Sequence, residues 1–175
     1  MLQEGWLVPN ARIAVVGAGT GHEAFAAAAA GFQVTAFDFA PEAVRAMEQR
    51  LQASAVSLTA VSLTAVSLTP VLADILNLHR THPQAFDAVL EHTCYCAIDP
   101  QHRDAYVEAV AGCLVPGGVL FGLFYNHGRP GGPPFDTTEA DVRRRFERFR
   151  FERFVRATDS FPHRTNQEWE ALFRL

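Results

Sequence analysis

One short stretch constrains this chain more than any other. Ile13–Val16 is a β-branched apolar run, followed by GAGTG at Gly17–Gly21 and then by HEAFAAAAAG. An apolar run that short reads as a buried strand. The alanine-rich stretch reads as a helix closed by Gly31. The glycines between them allow a tight turn and a close approach of backbone to a ligand. Gln33–Phe37 (QVTAF) is a second strand that stops at Asp38, and Pro41 opens a second helix, PEAVRAMEQRLQA, at the position where a helix accepts proline. Strand, turn, helix, strand, helix is the first half of a doubly wound sheet.

The alternation then continues. LADILNL carries Asp74, and FDAVLEH (Phe86–His92) is a fourth strand entering a loop. A helix is expected from Pro100 to about Cys113, a sharp turn at Leu114–Gly118, and a fully buried fifth strand at Val119–Tyr125. A Gly/Pro-rich loop, Asn126–Phe135, leads to a helix capped by Thr138, with Asp141 three residues on as a capping box. Two aromatic-rich segments, Phe149–Ala157 and Gln167–Leu175, are placed to pair as an antiparallel hairpin at the sheet edge. The expected architecture is α/β: a Rossmann-like, doubly wound, mostly parallel sheet with an antiparallel C-terminal hairpin strand, as a single domain over residues 1–175. One stretch interrupts it. AVSLT occurs three times in tandem from Ala55 to Thr69. A five-residue period turns each copy to a different face of any strand or helix. It therefore reads as a duplication in a connection, feeding a third strand near Val66–Leu72.

Composition narrows the classes of function. A chain of 175 residues, 49% hydrophobic and 19% charged, is long enough to bury a core. A net charge of −4 gives no global support for a nucleic-acid partner. The arginines at Arg143, Arg144, Arg145, Arg148, Arg150, Arg153 and Arg156 interleave with phenylalanines, a pattern of some nucleic-acid surfaces. Nearby acids dilute that run, and it reads as a solvated face. No apolar run is long enough to span a membrane and no secretory leader is recognisable, so a cytoplasmic protein is expected. Cys94, Cys96 and Cys113 are too few for a disulfide framework. HTCYC lacks the ligands of a zinc site, so no metal is expected; Cys94 and Cys96 read as soft side chains beside a ligand pocket.

The chemistry-bearing residues cluster after the strands. A dinucleotide fingerprint wants glycines at relative positions one, three and six. Here Gly17, Gly19 and Gly21 stand at one, three and five, and His22 at six. That spacing disfavours a nicotinamide oxidoreductase and suits S-adenosylmethionine, which has no pyrophosphate to seat. Asp38, 21 residues after Gly17, is placed to accept both ribose hydroxyls or to cap the helix at Pro41. Asp74 is placed to accept the exocyclic amine of adenine or to cap a helix. Glu91 and His92 leave the fourth strand where the methionine end of the cofactor would lie, with a surface turn as the alternative. Ala18 in the glycine turn, Phe39 beside Asp38 and Ile75 beside Asp74 complete the candidate cofactor set.

The order GAGTG, Asp38, Asp74, LEH, LVPGG resembles a class I S-adenosylmethionine-dependent methyltransferase. FDAVLEHTCYCAIDPQHRDAYVEAV, LVPGGVLFGLFY and GGPPF resemble the thiopurine and thiol S-methyltransferase family, which includes halide and thiocyanate methyltransferases. The resemblance implies cofactor contacts from Gly17, Ala18, Gly19, Asp38, Asp74 and Glu91. It implies a substrate-pocket role for Tyr125 and the Gly131–Phe135 loop, including Gly132 and Pro133, and for Arg103. A surface salt bridge is the alternative for Arg103. The expected reaction is methyl transfer to a small soft nucleophile: a thiol, a halide or thiocyanate. No Ser-His-Asp or paired-carboxylate arrangement is visible, so the sequence names no general base. Family members carry an aromatic N-terminal segment over the cofactor, where this chain has MLQEGWLVPN, with Trp6 as a partial lid or an edge-packing residue. A second expectation follows: a module that binds S-adenosylmethionine with little or no turnover.

Overall fold

The computed structural model describes residues 6–57 and 67–175. In chain order the elements are β1 (Arg12–Val16), α1 (His22–Ala29), β2 (Gln33–Asp38), α2 (Pro41–Ser57), β3 (Leu68–Leu72), α3 (Leu78–Thr81), β4 (Phe86–His92), α4 (Arg103–Cys113), β5 (Leu114–Tyr125), α5 (Glu139–Arg145), β6 (Arg150–Arg156) and β7 (Glu168–Arg174). They build one seven-stranded sheet in the order β3-β2-β1-β4-β5-β7-β6. The first five strands in that order are parallel, while β7 pairs antiparallel with β5 and with β6. This is the expected Rossmann-like sheet with its antiparallel hairpin.

Period-two alternation explains why these runs sit in the middle of the molecule. On β1, Ile13 and Val15 face a layer formed with Ala24, Ala27 and Ala28 of α1 and Val44 and Met47 of α2. Ala14 and Val16 face the opposite layer, with Leu78 of α3, Tyr106, Val107 and Val110 of α4, and Val142 of α5. The small side chains of α1 let that helix lie close to the sheet. A strand buried on both faces must be apolar, and β1 is from Ile13 to Val16, with Arg12 at its exposed start.

Several boundaries differ from the sequence expectation. β5 begins at Leu114 rather than Val119. Phe86 pairs with Leu114 and Ala88 with Val119, so the residues between Leu114 and Val119 bulge from the ladder around Pro116-Gly117-Gly118. The second helix runs past the expected end to Ser57, and β3 starts at Leu68. The tandem repeat therefore contributes to the end of a helix and the start of a strand; its stretch from 58 to 66 lies outside the described residues. The capping box at α5 is only half formed. Thr138 Oγ1 accepts from the Asp141 amide at 3.1 Å, but the Asp141 carboxylate turns to Tyr95, Arg103, Arg144 and Arg145 instead of back to the cap. Among the described residues no helix is long and apolar enough to cross a membrane.

Candidate active site

In an open α/β sheet, ligands bind beyond the carboxyl ends of the strands where the strand order reverses. Here that point lies between β1 and β4. Val16 pairs with Phe37 on one side and with Glu91 on the other. The next residues along the three strands, Gly17, Asp38 and His92, therefore emerge level with one another at the same end of the sheet.

The glycine turn is fixed by packing beneath and open above. Gly17 has φ +60, and a Cβ there would lie 2.6 Å from Cys94 Sγ. Gly19 has φ +53 and nothing within 4 Å of a would-be Cβ, so its backbone borders open space. Asp38, only 7% exposed, holds this turn. Its Oδ2 accepts from the Gly19 amide at 2.8 Å and its Oδ1 from the Ala40 amide at 2.9 Å. The carboxylate braces the start of α2, close to the capping role read from the sequence, and it also ties that start to the glycine turn, which the sequence did not show. Two bonds leave about two of its roughly four lone-pair sites free for a ligand.

The rim continues to β3. The Ala73 amide donates to the Asp38 carbonyl at 2.9 Å, and Asp74 follows. Asp74 accepts from the Leu76 amide and from Asn77 Nδ2, each at 3.0 Å, so it caps the short 3₁₀ turn at Ile75–Asn77. Phe39 and Leu72 are exposed apolar side chains flanking this rim, at 80% and 56%. Ile75 packs into the core.

A cavity of about 370 Å³ opens in front of the turn. It is lined by Gly17, Ala18, Gly19 and His22, as expected, together with Glu23, His92 and Arg164. A second, of about 330 Å³, shares His92 and Phe161 and reaches Leu123, Asp159 and Glu168. His92 Nδ1 lies 2.5 Å from Glu23 Oε1, a link from β4 to the first turn of α1. The bond to Glu23 raises the His92 pKa against the opposing effect of burial, and the same bond lowers that of Glu23. Glu23, Phe161, His163 and Arg164 were not singled out in the sequence. Glu23 carries a weak signal, one carboxylate in the first turn after the glycines. The other three lie in a loop with no motif.

Glu91 behaves differently from its neighbour because successive strand residues face opposite ways. Its carboxylate does not face the cavity before the glycine turn, and it is not on a surface turn. It is 3% exposed, accepts from the Tyr95 amide at 3.1 Å and from the Tyr106 hydroxyl at 2.5 Å, and burial raises its pKa to about 7. Cys94 and Cys96 are buried as well, the former beneath Gly17, rather than forming the wall of either cavity.

Arg103 is no surface residue either. At 2% exposure it lies over the Tyr95 ring and donates to Asp141 Oδ2 at 2.9 Å and to the Asp136 carbonyl at 3.1 Å. Tyr125 is buried, accepts from Arg129 at 3.3 Å and lies under the Arg164 guanidinium at 4.6 Å. Gly132 and Pro133 are exposed in a loop fastened by the Phe135 amide to the Cys96 carbonyl at 2.6 Å. None of these four lines either cavity, although Tyr125 reaches one of them through Arg164.

The profile of one protein family, thiopurine S-methyltransferase (TPMT), matches residues 2–174. The chain belongs to that family. S-adenosylmethionine is the cofactor this membership carries, and the level arrangement of turn, carboxylate and cavity fits it: the backbone is open at Gly19 and Asp38 has acceptor capacity to spare. A "Probable thiol methyltransferase 2" of Arabidopsis thaliana is 25% identical over 143 residues, covering 80% of this chain and 58% of that protein. The chain thus spans under two thirds of that relative's length. A SAM-dependent methyltransferase of Methanosarcina mazei superposes with a TM-score of 0.81 at 17% identity, over 97% of this chain and 94% of that one. The 1,6-didemethyltoxoflavin-N1-methyltransferase of Burkholderia thailandensis, solved with bound 1,6-didemethyltoxoflavin and S-adenosylhomocysteine, gives 0.72 at 18% identity, over 95% and 71%. At these identities the two structures speak for the fold.

Proposed function

We propose that this chain transfers a methyl group from S-adenosylmethionine to a small soft nucleophile, a thiol before a halide or thiocyanate. The observation that carries the reading is the cavity at the β1/β4 switch point, with Asp38 bound to the glycine turn on one side and His92 on the other. The cofactor supplies the electrophile, a methyl group on a positive sulfonium. The remaining work is positioning. Gly17, Ala18 and Gly19 offer backbone to the cofactor, Asp38 its free lone pairs to the ribose hydroxyls, and Asp74 with Phe39 a polar and an apolar edge for the adenine. The methionine end then lies toward His22 and His92, and the acceptor enters between His92, Phe161 and Arg164.

The size of the two cavities, about 370 and 330 Å³, suits a small acceptor. A thiol ionises at a pKa near ~8.5, so a modest push makes it a strong nucleophile. Arg103, buried against Asp141, acts in this reading on the shape of the segment after β4; Tyr125 supports Arg164 from below. The test is methyl-labelled cofactor with a panel of alkyl thiol, iodide, thiocyanate, phenol and amine. Label is expected in the thiol and, more slowly, in the halide or thiocyanate product. Label confined to phenol or amine would overturn the acceptor class, and cofactor binding with no labelled product would leave a binding module.

A further inference from the structure

The sequence offers no general base, and the fold assembles one from two residues far apart in the chain. We propose that His92, oriented by Glu23, takes the proton from the acceptor thiol. The proposal rests on the methyl-transfer reading above.

A base works when a third group fixes its ring and leaves the other nitrogen free for the substrate. Glu23 Oε1 lies 2.5 Å from His92 Nδ1, and Nε2 has no hydrogen-bond partner among the described residues. Glu23 is held by the first turn of α1, and His92 is the last residue of β4, so two core elements set the geometry. Both side chains are about one-third exposed, at 33% and 37%, so the pair is neither sealed in the core nor loose in solvent. His92 and Phe161 are shared by both cavities, and of the two only His92 can take a proton where cofactor and acceptor must meet. A tie that served only to hold β4 to α1 would not need that position.

The surroundings favour the charged ring once it has taken the proton. Glu23 from α1, Glu168 from β7 and Glu91 from β4 itself all act in that direction. Arg164, from the segment before β7, is paired with Glu168 at 3.2 Å. His22 on α1 and Asp159 and His163 in the β6–β7 segment line the same cavities. The step balances. The thiol S–H bond breaks and its proton bonds to His92 Nε2. The thiolate sulfur then takes the methyl carbon, and the electron pair of the broken sulfonium bond stays with the cofactor sulfur as a thioether. His92 finally releases its proton to water.

Two acceptors separate this role from simple positioning: an alkyl thiol, protonated at neutral pH, and a nitro-substituted thiophenol, already ionised. His92→Gln is expected to slow the alkyl thiol about 100-fold, the range of general-base catalysis, and the ionised thiol less than about threefold. Glu23→Gln removes the main group favouring the imidazolium, so the acid limb of the alkyl-thiol pH profile moves to lower pH. Equal losses on both thiols, or an unmoved limb, would overturn the proposal. A readout independent of turnover is the ring nitrogen NMR of His92 in the S-adenosylhomocysteine complex at a pH where the ring is neutral. Adding 2-mercaptoethanol is expected to shift it toward imidazolium in the wild-type chain, and no response would overturn the proposal. A wild-type chain that methylates neither thiol refutes the proposed function, while the ring response still decides the role of His92.

Discussion

Two carboxylates near the ends of β2 and β4, the strands that flank β1, show how environment divides the same chemistry. Asp38 sits at the rim with its oxygens on backbone amides, while Glu91 is turned into the core beneath Tyr95. Asp38→Ala removes an acceptor from Gly19 and Ala40 together with the proposed ribose contact. Affinity for S-adenosylhomocysteine is expected to fall by roughly 2–3 kcal/mol, measured by calorimetry. The fold should persist, because the core packing does not depend on this side chain. For Glu91 the effect is on pH. Its folded pKa, raised from 4.5 to about 7, means that the folded chain holds the proton longer than the unfolded one. Stability is then fully present below about 4.5 and is lost as pH rises through about 7, on the order of 3 kcal/mol. Glu91→Gln keeps an oxygen for Tyr95 and Tyr106 and should flatten that part of a pH series of denaturant unfolding curves. The role of Glu91 was not legible in the sequence: LEH shows a strand end, but which of two neighbours faces the core depends on what packs there.

At the scale of elements, strands and helices were legible where period and caps agreed. β1, α1 and β2 follow from a β-branched run, an alanine run and the glycine between them. The extent of β5 was not, because the bulge at Pro116-Gly117-Gly118 is set by its partner β4. The arginine-rich segment gains its meaning only in three dimensions. Arg143 pairs with Glu139, Arg144 and Arg145 with Asp141, Arg148 with Glu108, Arg150 with Glu152 and Arg153 with Glu170, while Arg156 lies 3.8 Å over the Trp169 ring. Asp141 is the hub, joining α5 to buried Arg103 and to Tyr95. Asp141→Asn leaves Arg103 charged and without its anion at 2% exposure. The expected loss is about 3–5 kcal/mol in denaturant unfolding, far beyond that of an exposed pair such as Arg45–Glu42. The repeat supplies the opposite case. Deleting its middle copy, Ala60–Thr64, touches neither the described end of α2 nor β3. On the sequence reading of a connection, shortening it costs below about 1 kcal/mol, so thermal unfolding should stay cooperative. A loss of cooperativity would place that copy in the core.

At the scale of the whole molecule, the sheet order β3-β2-β1-β4-β5-β7-β6 makes the site. It sets β1 between β2 and β4, and so brings Gly17, Asp38 and His92 level although they are widely separated in sequence. The side of that crevice formed by the glycine turn and Asp38 was legible because both are local signals in a known order. The opposite side, proposed for the acceptor, was not. Glu23 reads as a helix residue, and Phe161, His163 and Arg164 come from a loop that only the β6–β7 pairing folds back over the cavity. The most direct test of this arrangement is an amide NMR titration of the wild-type chain with S-adenosylhomocysteine, with NADH as the comparison. One-to-one binding is expected, with the largest shifts at Gly17–Gly19, Asp38, Asp74 and His92, and no such shifts with NADH. Saturation by NADH at these amides, or S-adenosylhomocysteine shifts confined to another face of the sheet, would contradict this arrangement.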